Sequence, residues 1–417
     1  MPSYKSRSKI TNLLKFKKDV SASTYLSAAI YASLMNLRDY VERQDFKGYD
    51  PYDALNSPLL RGLCLNKKNT RMAFIQSLKR LPFNLRPLLG IKRGYNPKGI
   101  GLFLWGYTKL FALEKKPEYL EKINFLIELL EESKSAGYSG YCWGYNFDWQ
   151  SRSFYLPKYT PTVVNSSFIG HALIDTYKYT NINRALEIAV SIKNFILNDL
   201  NRRKENIFFC FSYSPIDEVY VHNANLLGAS LLIRLFKYTG ENLLKDTALS
   251  SLGYSMKYQR PDGSWPYAET EYQNWIDSFH TGFNLQSILY FLEAGFEEYR
   301  DAFERGVKFY QEKFLLDDGT SKYYHDKLYP VDIHSAVQAL VFFSRCGRNY
   351  LNLAEKIANR TIENFQGKEG YFYFQKNRLF TNKISYMRWS QAWTFHAITE
   401  YLFSTRKVNQ DVNTRRA

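Results

Sequence analysis

Two aspartate–histidine pairs in this chain have the residue types and the spacing that proton transfer requires. Asp277 lies three positions before His280, and Asp332 lies two positions before His334. Residues three apart share one face of a helix, so the first carboxylate can hold its imidazole as a general base. An aspartate placed before a helix also caps it, and this simpler role stays open for both pairs.

A further carboxylate, Asp148, stands between Phe147 and Trp149. An apolar setting that removes water would raise the pKa of its carboxyl group and suit a general acid. The alternative is that Asp148 accepts backbone N–H groups and holds its own loop in place. The predicted catalytic residues are Asp148, Asp277, His280 and His334. We expect the four to face one cavity.

Aromatic, amide and cationic side chains cluster in the loops and helix starts around these residues. Indole faces suit the C–H faces of sugar rings, amides can read hydroxyl groups, and Arg152 and Arg388 can clamp a carboxylate or phosphate. Some of the amides could instead satisfy loop carbonyls. The predicted substrate-binding residues are Trp143, Trp149, Gln150, Arg152, His222, Asn223, Asn225, Trp265, Asp332, Arg388 and Trp389.

The elements that must position these residues repeat along the chain. Five aromatic loops each run into a helix, at intervals of roughly 55–60 residues, which is typical of stacked units. The first helix of each pair is apolar all round and the second is amphipathic, so the pairs predict an inner and an outer ring. Five hairpins fill residues 98–366, and one inner helix at 386–403 has no sequential partner.

The helix predicted over residues 22–43 also has no sequential partner. Its pairing with the last inner helix would close the ring, which gives an all-α (α/α)6 toroid of six helical hairpins. The expected domains are a flexible basic arm (1–20), a single toroid domain (21–405) and a disordered tail (406–417). The N-termini of the inner helices would gather at one mouth and form a wide aromatic crater that favours anionic or hydroxyl-rich ligands.

The amino-acid composition limits the classes of binding partner that we expect. A formal net charge of +16 favours anionic partners, and the lysine-rich start of the chain could touch an anionic membrane surface. Nucleic acid is not expected, because the basic residues are dispersed and no recognised nucleic-acid motif is present. The four scattered cysteines predict a reducing, cytoplasmic compartment. No sequence motif predicts a metal ion or a cofactor.

Three blocks of the sequence, residues 143–150, 221–229 and 275–283, resemble a family of poorly characterised proteins associated with bacterial surface-polysaccharide gene clusters. The pattern of inner helices and loops also resembles the six-hairpin superfamily. That superfamily includes glycoside hydrolases, polysaccharide lyases, sugar epimerases and terpene-cyclase toroids. The resemblance implies a toroid that handles a saccharide, without implying one reaction.

A shorter segment, residues 259–265, is similar to the QxxxGxW motif of triterpene cyclases. In those enzymes the motif ties hairpins together, and the resemblance implies the same structural role here. The acidic DxDD motif that starts cyclisation is absent from this sequence. The segment therefore supports the toroid and not terpene chemistry.

These observations predict a carbohydrate-active protein of bacterial surface-polysaccharide metabolism (exopolysaccharide, O-antigen or capsule). As an enzyme it would perform acid/base chemistry on a saccharide or acidic glycan, of hydrolase, lyase or epimerase type. The alternative is a non-catalytic glycan-binding component of an assembly complex. An isoprenoid-handling toroid is less favoured, because it requires an almost wholly apolar crater.

Overall fold

The structure is a computed structural model that describes residues 22–64 and 67–416. The predicted basic arm, residues 1–20, lies outside the described residues. None of the described helices is both long and apolar enough to span a membrane.

Helices dominate the described part of the chain, and short strands occur only in the loops. The α-helices are α1 (Ala22–Arg43), α2 (Pro58–Leu63), α3 (Lys68–Arg80), α4 (Pro97–Glu114), α5 (Pro117–Glu132), α6 (Val163–Thr180), α7 (Asn183–Asn198), α8 (His222–Thr239), α9 (Asn242–Met256), α10 (Ser278–Glu293), α11 (Arg300–Phe314), α12 (Ile333–Arg345), α13 (Leu351–Phe365) and α14 (Trp393–Arg416). The strands are β1 (Trp149–Gln150), β2 (Tyr155–Leu156), β3 (Arg202–Glu205), β4 (Phe208–Phe211), β5 (Val331–Asp332), β6 (Gln375–Lys376) and β7 (Thr381–Asn382). Sheet neighbours are antiparallel, in the orders β1-β2, β3-β4 and β5-β6-β7.

Six helices form a closed inner ring. In order they are α4, α6, α8, α10, α12 and α14, and α14 packs back on α4. Most residues of α4 to α12 within the ring are buried all round, as their uniform apolarity requires. The outer helices α5, α7, α9, α11 and α13 each pack on the inner helix that precedes them. The predicted all-α toroid is confirmed.

The first and last helices of the described chain, α1 and α14, close the ring. Helix α1 packs on α14 and supplies the sixth outer helix, as the missing sequential partner predicts. The last inner helix differs from the expectation at its far end. Helix α14 continues to Arg416, so residues 406–416 are helical where a disordered tail is expected. An unbroken run without glycine or proline lets the helix continue past the ring.

In four of the hairpins, the loop after the outer helix contains a glycine that packs directly against the next outer helix. We call these four contacts joints. The four joints are Gly140 against Ser191 of α7, Gly263 against Arg305 of α11, Gly319 against Lys356 of α13 and Gly370 against Asn36 of α1. At each one, a Cβ atom would overlap the backbone of the neighbouring helix. The last joint fastens the C-terminal half of the ring to α1.

Replacing Gly370 by alanine is expected to destabilise the closed ring. Gly370 has φ 94°, which disfavours any side chain, and its Cβ would also overlap the carbonyl of Asn36. Gly347 is a matched control, with φ 99° and no atom within 4 Å of a Cβ. In urea unfolding, Gly347→Ala should lose about 1 kcal/mol from strain alone, and Gly370→Ala about 1–3 kcal/mol more from overpacking. Equal losses would show that the joint adds nothing.

The segment similar to QxxxGxW holds one of these joints together. Gln259 Nε2 donates to the carbonyl of Ala302 at 2.7 Å, and Trp265 Nε1 donates to the carbonyl of Ser255 at 3.0 Å. With Gly263 packed on α11, the segment ties the end of α9 to the next outer helix. This is the structural role that the resemblance implies.

The connection between α1 and α4 is unlike the others, because it contains the additional helices α2 and α3. These helices share a small core of their own with the residues around them. Helix α3 also packs on β1, at the end of the ring where the inner helices begin. The extra segment therefore covers part of the mouth that we expected to be a wide crater.

Candidate functional site

A cavity of about 520 Å³ lies at the N-terminal ends of the inner helices. Every inner helix contributes to its lining at or just before its first turns. The contributing residues are Lys98 of α4, Val164 of α6, Asn223 of α8, His280 of α10, His334 of α12 and Arg388 in the π-helical turn (Met387–Ala392) before α14. The repeated helix starts thus meet around one space.

Aromatic side chains and one face of α3 form the walls of the cavity. Met72, Gln76 and Arg80, spaced four residues apart, line it from α3, and the β1–β2 hairpin lines it beside them. The aromatic residues are Tyr52, Tyr145, Phe147, Trp149, Phe154, Tyr213, Tyr267, Trp275, Phe279, Phe283, Tyr323, Tyr324 and Trp389. The volume is within the usual range for small-ligand sites, roughly 300–1,000 Å³.

Asp277 and His280 form a hydrogen-bonded pair in the cavity wall. Asp277 caps α10: its Oδ1 accepts the backbone N–H of His280 at 3.0 Å, and its Oδ2 lies 2.7 Å from His280 Nδ1. Trp275 Nε1 donates to the same Oδ2 at 2.9 Å. Because an ionised carboxylate only accepts, Nδ1 carries a proton and the neutral imidazole keeps its lone pair on Nε2. The His280 side chain is 20% exposed, so the ring is accessible from the cavity.

His334 lies across Phe279 from His280. The Phe279 ring centre is 4.2 Å from that of His280 and 4.8 Å from that of His334. Both ring nitrogens of His334 are buried without a hydrogen-bond partner among the described residues. Burial, followed by the nearby charges of Lys98 and Arg388, lowers the pKa of His334 well below its ordinary value. His334 is therefore a neutral imidazole in the floor of the cavity.

Arg388 lines the cavity, and its guanidinium group is paired with a carboxylate. Asp50 binds it in a two-pronged ion pair, with Nε at 2.6 Å and Nη2 at 2.8 Å from the carboxylate oxygens. Both side chains are almost fully buried. The π-helical turn supplies the position, since such turns are often found at functional sites.

Buried polar atoms without partners lie around the cavity. Besides His334, the buried Oδ1 of Asn223 lacks a hydrogen-bond partner among the described residues. The Lys98 ammonium lines the same cavity and lies over the rings of Phe168, Phe283 and Trp393. Buried polar groups are normally satisfied, so His334 and Asn223 keep hydrogen-bonding capacity that a polar molecule or water in this space can use.

Three of the four predicted catalytic residues, Asp277, His280 and His334, line the cavity. The fourth, Asp148, does not, which corrects the expectation of a shared site. Its Oδ1 accepts the backbone N–H of Lys158 at 2.8 Å, and its Oδ2 pairs with Arg61 of α2 at 2.9 Å. Asp148 holds its loop and the extra segment together, which is the alternative role considered for it.

Some of the predicted substrate-binding residues line the cavity, and others do not. Those that line the cavity are Trp149, Gln150, Arg152, Asn223, Arg388 and Trp389. Trp143 and Trp265 do not bind in it: both are core residues whose indole N–H groups donate to backbone carbonyls of Leu130 and Ser255. Each indole therefore fastens its aromatic loop to the outer helix that precedes it.

His222 and Asn225 lie behind the cavity wall. Asn225 accepts the backbone N–H of Phe211 and donates to the carbonyl of Ser251, so its amide fastens β4 to α9. His222 Nδ1 lies 3.2 Å from Ser255 Oγ, and burial lowers the pKa of this imidazole to about 3. Both are structural residues, which corrects their assignment to substrate binding.

Asp332 also lies outside the cavity lining, and it does not hold the His334 ring. Its Oδ1 accepts the backbone N–H of His334 at 2.8 Å and Trp389 Nε1 at 3.1 Å, while Gln375 donates to Oδ2. Because the histidine lies two positions after its capping residue instead of three, the carboxylate reaches only the backbone. Burial raises the pKa of Asp332 to about 6, partly offset by the Trp389 hydrogen bond.

The sequence analysis did not single out several residues that line the cavity. The most consequential are Lys98, Tyr145, Tyr213, Tyr267, Trp275 and the face of α3. A signal for Lys98 exists in the sequence, because a lysine in the first turn of an apolar inner helix must be buried or functional. The three tyrosines carry no such signal, because the chain contains 34 tyrosines and the sequence does not distinguish these three from the others.

The fold and the site together define an all-α (α/α)6 toroid with a polar cavity at the N-terminal ends of its inner helices. No family model and no curated protein matches the sequence. Solved structures do match. A sugar epimerase from a ruminal bacterium has a TM-score of 0.60 at 16% identity, covering 76% of this chain and 90% of that one.

Two further structures show the same fold. Cellobiose 2-epimerase from Bacillus thermoamylovorans matches with a TM-score of 0.57 at 15% identity, over 75% of this chain and 88% of its own. A GH76 α-mannanase from Bacteroides thetaiotaomicron matches with a TM-score of 0.55 at 14% identity, over 78% and 90%. At these identities the similarity extends to the toroid fold, and the reaction must be argued from the cavity.

Proposed function

We propose that this protein is a carbohydrate-active enzyme that transfers protons at a carbon next to the carbonyl group of a sugar, as an epimerase or isomerase does. The observation that carries the proposal is the pair of imidazoles on either side of Phe279. One is held by a carboxylate and the other is neutral and unpartnered among the described residues. The sugar epimerases among the similar structures agree with this chemistry.

The proposed step needs no redox partner. His280 Nε2 removes the proton from the carbon next to the carbonyl of the open-chain sugar, and the bonding electrons move to the carbonyl oxygen as an enediolate forms. The imidazolium of His280 is stabilised by Asp277. A water molecule that can hydrogen-bond to the neutral His334 imidazole then delivers a proton to the same carbon from the other side, the carbonyl reforms with inverted configuration, and His280 gives its proton to the hydroxide left behind.

Hydrolysis by two carboxylates is less well supported. Such enzymes use a carboxylic acid and a carboxylate on either side of the glycosidic bond. Among the described residues that line the cavity, Asp277 is the one carboxylate, and it already accepts three hydrogen bonds. The wall formed by α3 also leaves a compact cavity, which suits a monosaccharide or a chain end better than the middle of a polymer.

The biological setting remains part of the proposal. The sequence blocks that resemble proteins of bacterial surface-polysaccharide clusters support a cytoplasmic role in making or remodelling a sugar for such a polymer. The neighbouring genes test this setting. Genes for glycosyl transfer or nucleotide-sugar synthesis would support it, and a location among unrelated metabolic genes would count against it.

Isotope exchange tests the reaction on many candidate sugars in one experiment. The purified protein is incubated in D₂O with a panel of aldoses, ketoses, uronates and glycosides, including uronate-containing ones, and each sugar is examined by NMR. We expect deuterium to enter one sugar at the carbon next to its carbonyl, together with an epimer or isomer. Cleaved glycosides or unsaturated products without exchange would contradict the proposal and indicate hydrolysis or elimination.

A further inference from the structure

The charges that line the cavity are mostly positive. Among the described lining residues, the cations are Arg80, Lys98, Arg152 and Arg388, and the one carboxylate is Asp277. Asp50 neutralises Arg388 from behind, and Asp277 is engaged by His280. Three cationic side chains therefore face the cavity without a carboxylate partner in the described residues.

Lys98 is the most unusual of the three. It is 3% exposed and lies in the first turn of α4, on the floor of the cavity. Its Nζ lies 4.2 Å from the ring centre of Phe168, 5.4 Å from that of Trp393 and 5.6 Å from that of Phe283. No acceptor among the described residues hydrogen-bonds it, and no carboxylate pairs with it.

The aromatic rings do not offset the free-energy cost of burying the Lys98 ammonium group. Contacts of a cation with aromatic faces are modest attractions even when desolvated, and removing an ammonium ion from water costs more than they return. The effect on protonation agrees, because burial, and then the charge of Arg388, lower the pKa of Lys98 well below its ordinary value. A group of this kind is stabilised when an anion enters beside it.

We propose that the substrate carries an anionic group, a carboxylate or a phosphate, and that Lys98 binds it at the floor of the cavity while Arg80 and Arg152 attract it at the mouth. That the anion belongs to a sugar rests on the proposed function. The anion site itself rests on Lys98 and the unbalanced charge. Arg152 and Arg388 are the two clamps that the sequence suggested, and Arg388 is the less suited because Asp50 already satisfies its charge.

The position of Lys98 also places the anion close to one of the two imidazoles. Lys98 contributes to lowering the pKa of His334, so an anion on Lys98 sits near the neutral imidazole and offsets that positive charge. His280 lies beyond Phe279. A sugar with its anionic group on the floor would thus extend past both imidazoles toward the mouth.

Binding measurements test the inference independently of turnover. Isothermal titration at constant ionic strength compares D-glucuronate, D-glucose 6-phosphate and D-glucose as probes. We expect at least one anionic sugar to bind at least about 10-fold more tightly than glucose, and the stronger of the two identifies carboxylate or phosphate. Equal affinity for all three would overturn the inference.

Substitution of the lysine locates the effect. Lys98→Met keeps the length of the side chain in an aromatic setting, so the fold should be retained, as thermal unfolding checks. It should weaken the preferred anionic sugar about 10- to 100-fold, the range for losing a hydrogen bond to a charged group, and leave glucose unchanged. Lys308→Met, on the exposed side of α11, is the matched control and should change neither. Equal weakening of neutral and anionic sugars by Lys98→Met would contradict the assignment.

The two proposals can fail separately. Isotope exchange without any preference for anionic sugars would leave the reaction in place and remove the anion site. A preference for anionic sugars that Lys98→Met abolishes, with no isotope exchange on any sugar, would keep the anion site and remove the proposed reaction.

Discussion

Replacing His280 by glutamine is expected to slow deuterium exchange into the sugar by about 10²- to 10⁴-fold, the usual contribution of a general base. Glutamine keeps a polar side chain of similar length at this position but has no basic lone pair to accept a proton from carbon. Binding of the sugar should change little, because the remaining cavity is intact. The exchange rate is measured by NMR at saturating sugar, and binding by titration.

Asp277→Asn provides the companion test. Asparagine keeps an oxygen that can cap α10, so the helix start should persist. Its amide group, however, donates where the carboxylate accepts, which favours the imidazole tautomer with the proton on Nε2 and removes the base. We expect a loss of the same order as for His280→Gln.

The control for these two variants is an aspartate-to-asparagine substitution outside the cavity. Asp262 accepts the backbone N–H of Ser264 in a loop outside the cavity, and Asp262→Asn should leave the exchange rate within about 3-fold of the wild type. Exchange rates within that range for both His280→Gln and Asp277→Asn would show that this pair is not the base.

The contrast between the two aspartate–histidine pairs shows what the sequence can predict about the site. Asp277 and His280 meet because a capping residue and the third residue of a helix are neighbours by local geometry alone. Asp332 fails to reach the ring of His334 for the same local reason. The role of Asp148 depended instead on Arg61, which comes from a segment 87 positions earlier in the chain and is placed by tertiary packing.

The fold was more predictable than the site for a physical reason. Helices that are apolar all round and helices that are amphipathic must alternate between an inner and an outer ring, so the closure by α1 and α14 followed from counting partners. Tryptophans in the loops misled the prediction of binding residues, because Trp143 and Trp265 have the same sequence setting as Trp149. An indole that fastens a loop to its preceding outer helix has the same residue type and sequence setting as one that lines a sugar site.

A second feature of the ring, remote from the cavity, carries the other large expected effect. Deep among the inner helices, Asp175 of α6 accepts Trp105 Nε1 at 2.8 Å and pairs with Lys109 at 3.1 Å and with Arg234. All of these side chains are largely buried. Burial alone would raise the pKa of Asp175, but the charges of Lys109 and Arg234 outweigh it and hold the pKa well below its usual range.

Asp175→Ala is therefore expected to lower the free energy of unfolding by about 3–5 kcal/mol, because it leaves buried cations without their shared partner. Urea unfolding measures the loss. Asp246→Ala, at an exposed position on α9, is the control and should stay within about 0.5 kcal/mol of the wild type. A loss below about 1 kcal/mol for Asp175→Ala would show that Glu400, which also pairs with Lys109, compensates.

The pH dependence of this loss has a definite sign. The carboxyl of Asp175 has a lower pKa in the folded protein than in the unfolded chain, where it is about 4. Its contribution to stability is therefore fully present above that value and disappears as the pH falls through the folded pKa. The stability difference between wild type and Asp175→Ala should be constant from neutral pH down to about pH 5 and shrink below about pH 4. A difference that grows on acidification would mean that Asp175 is protonated in the native ring.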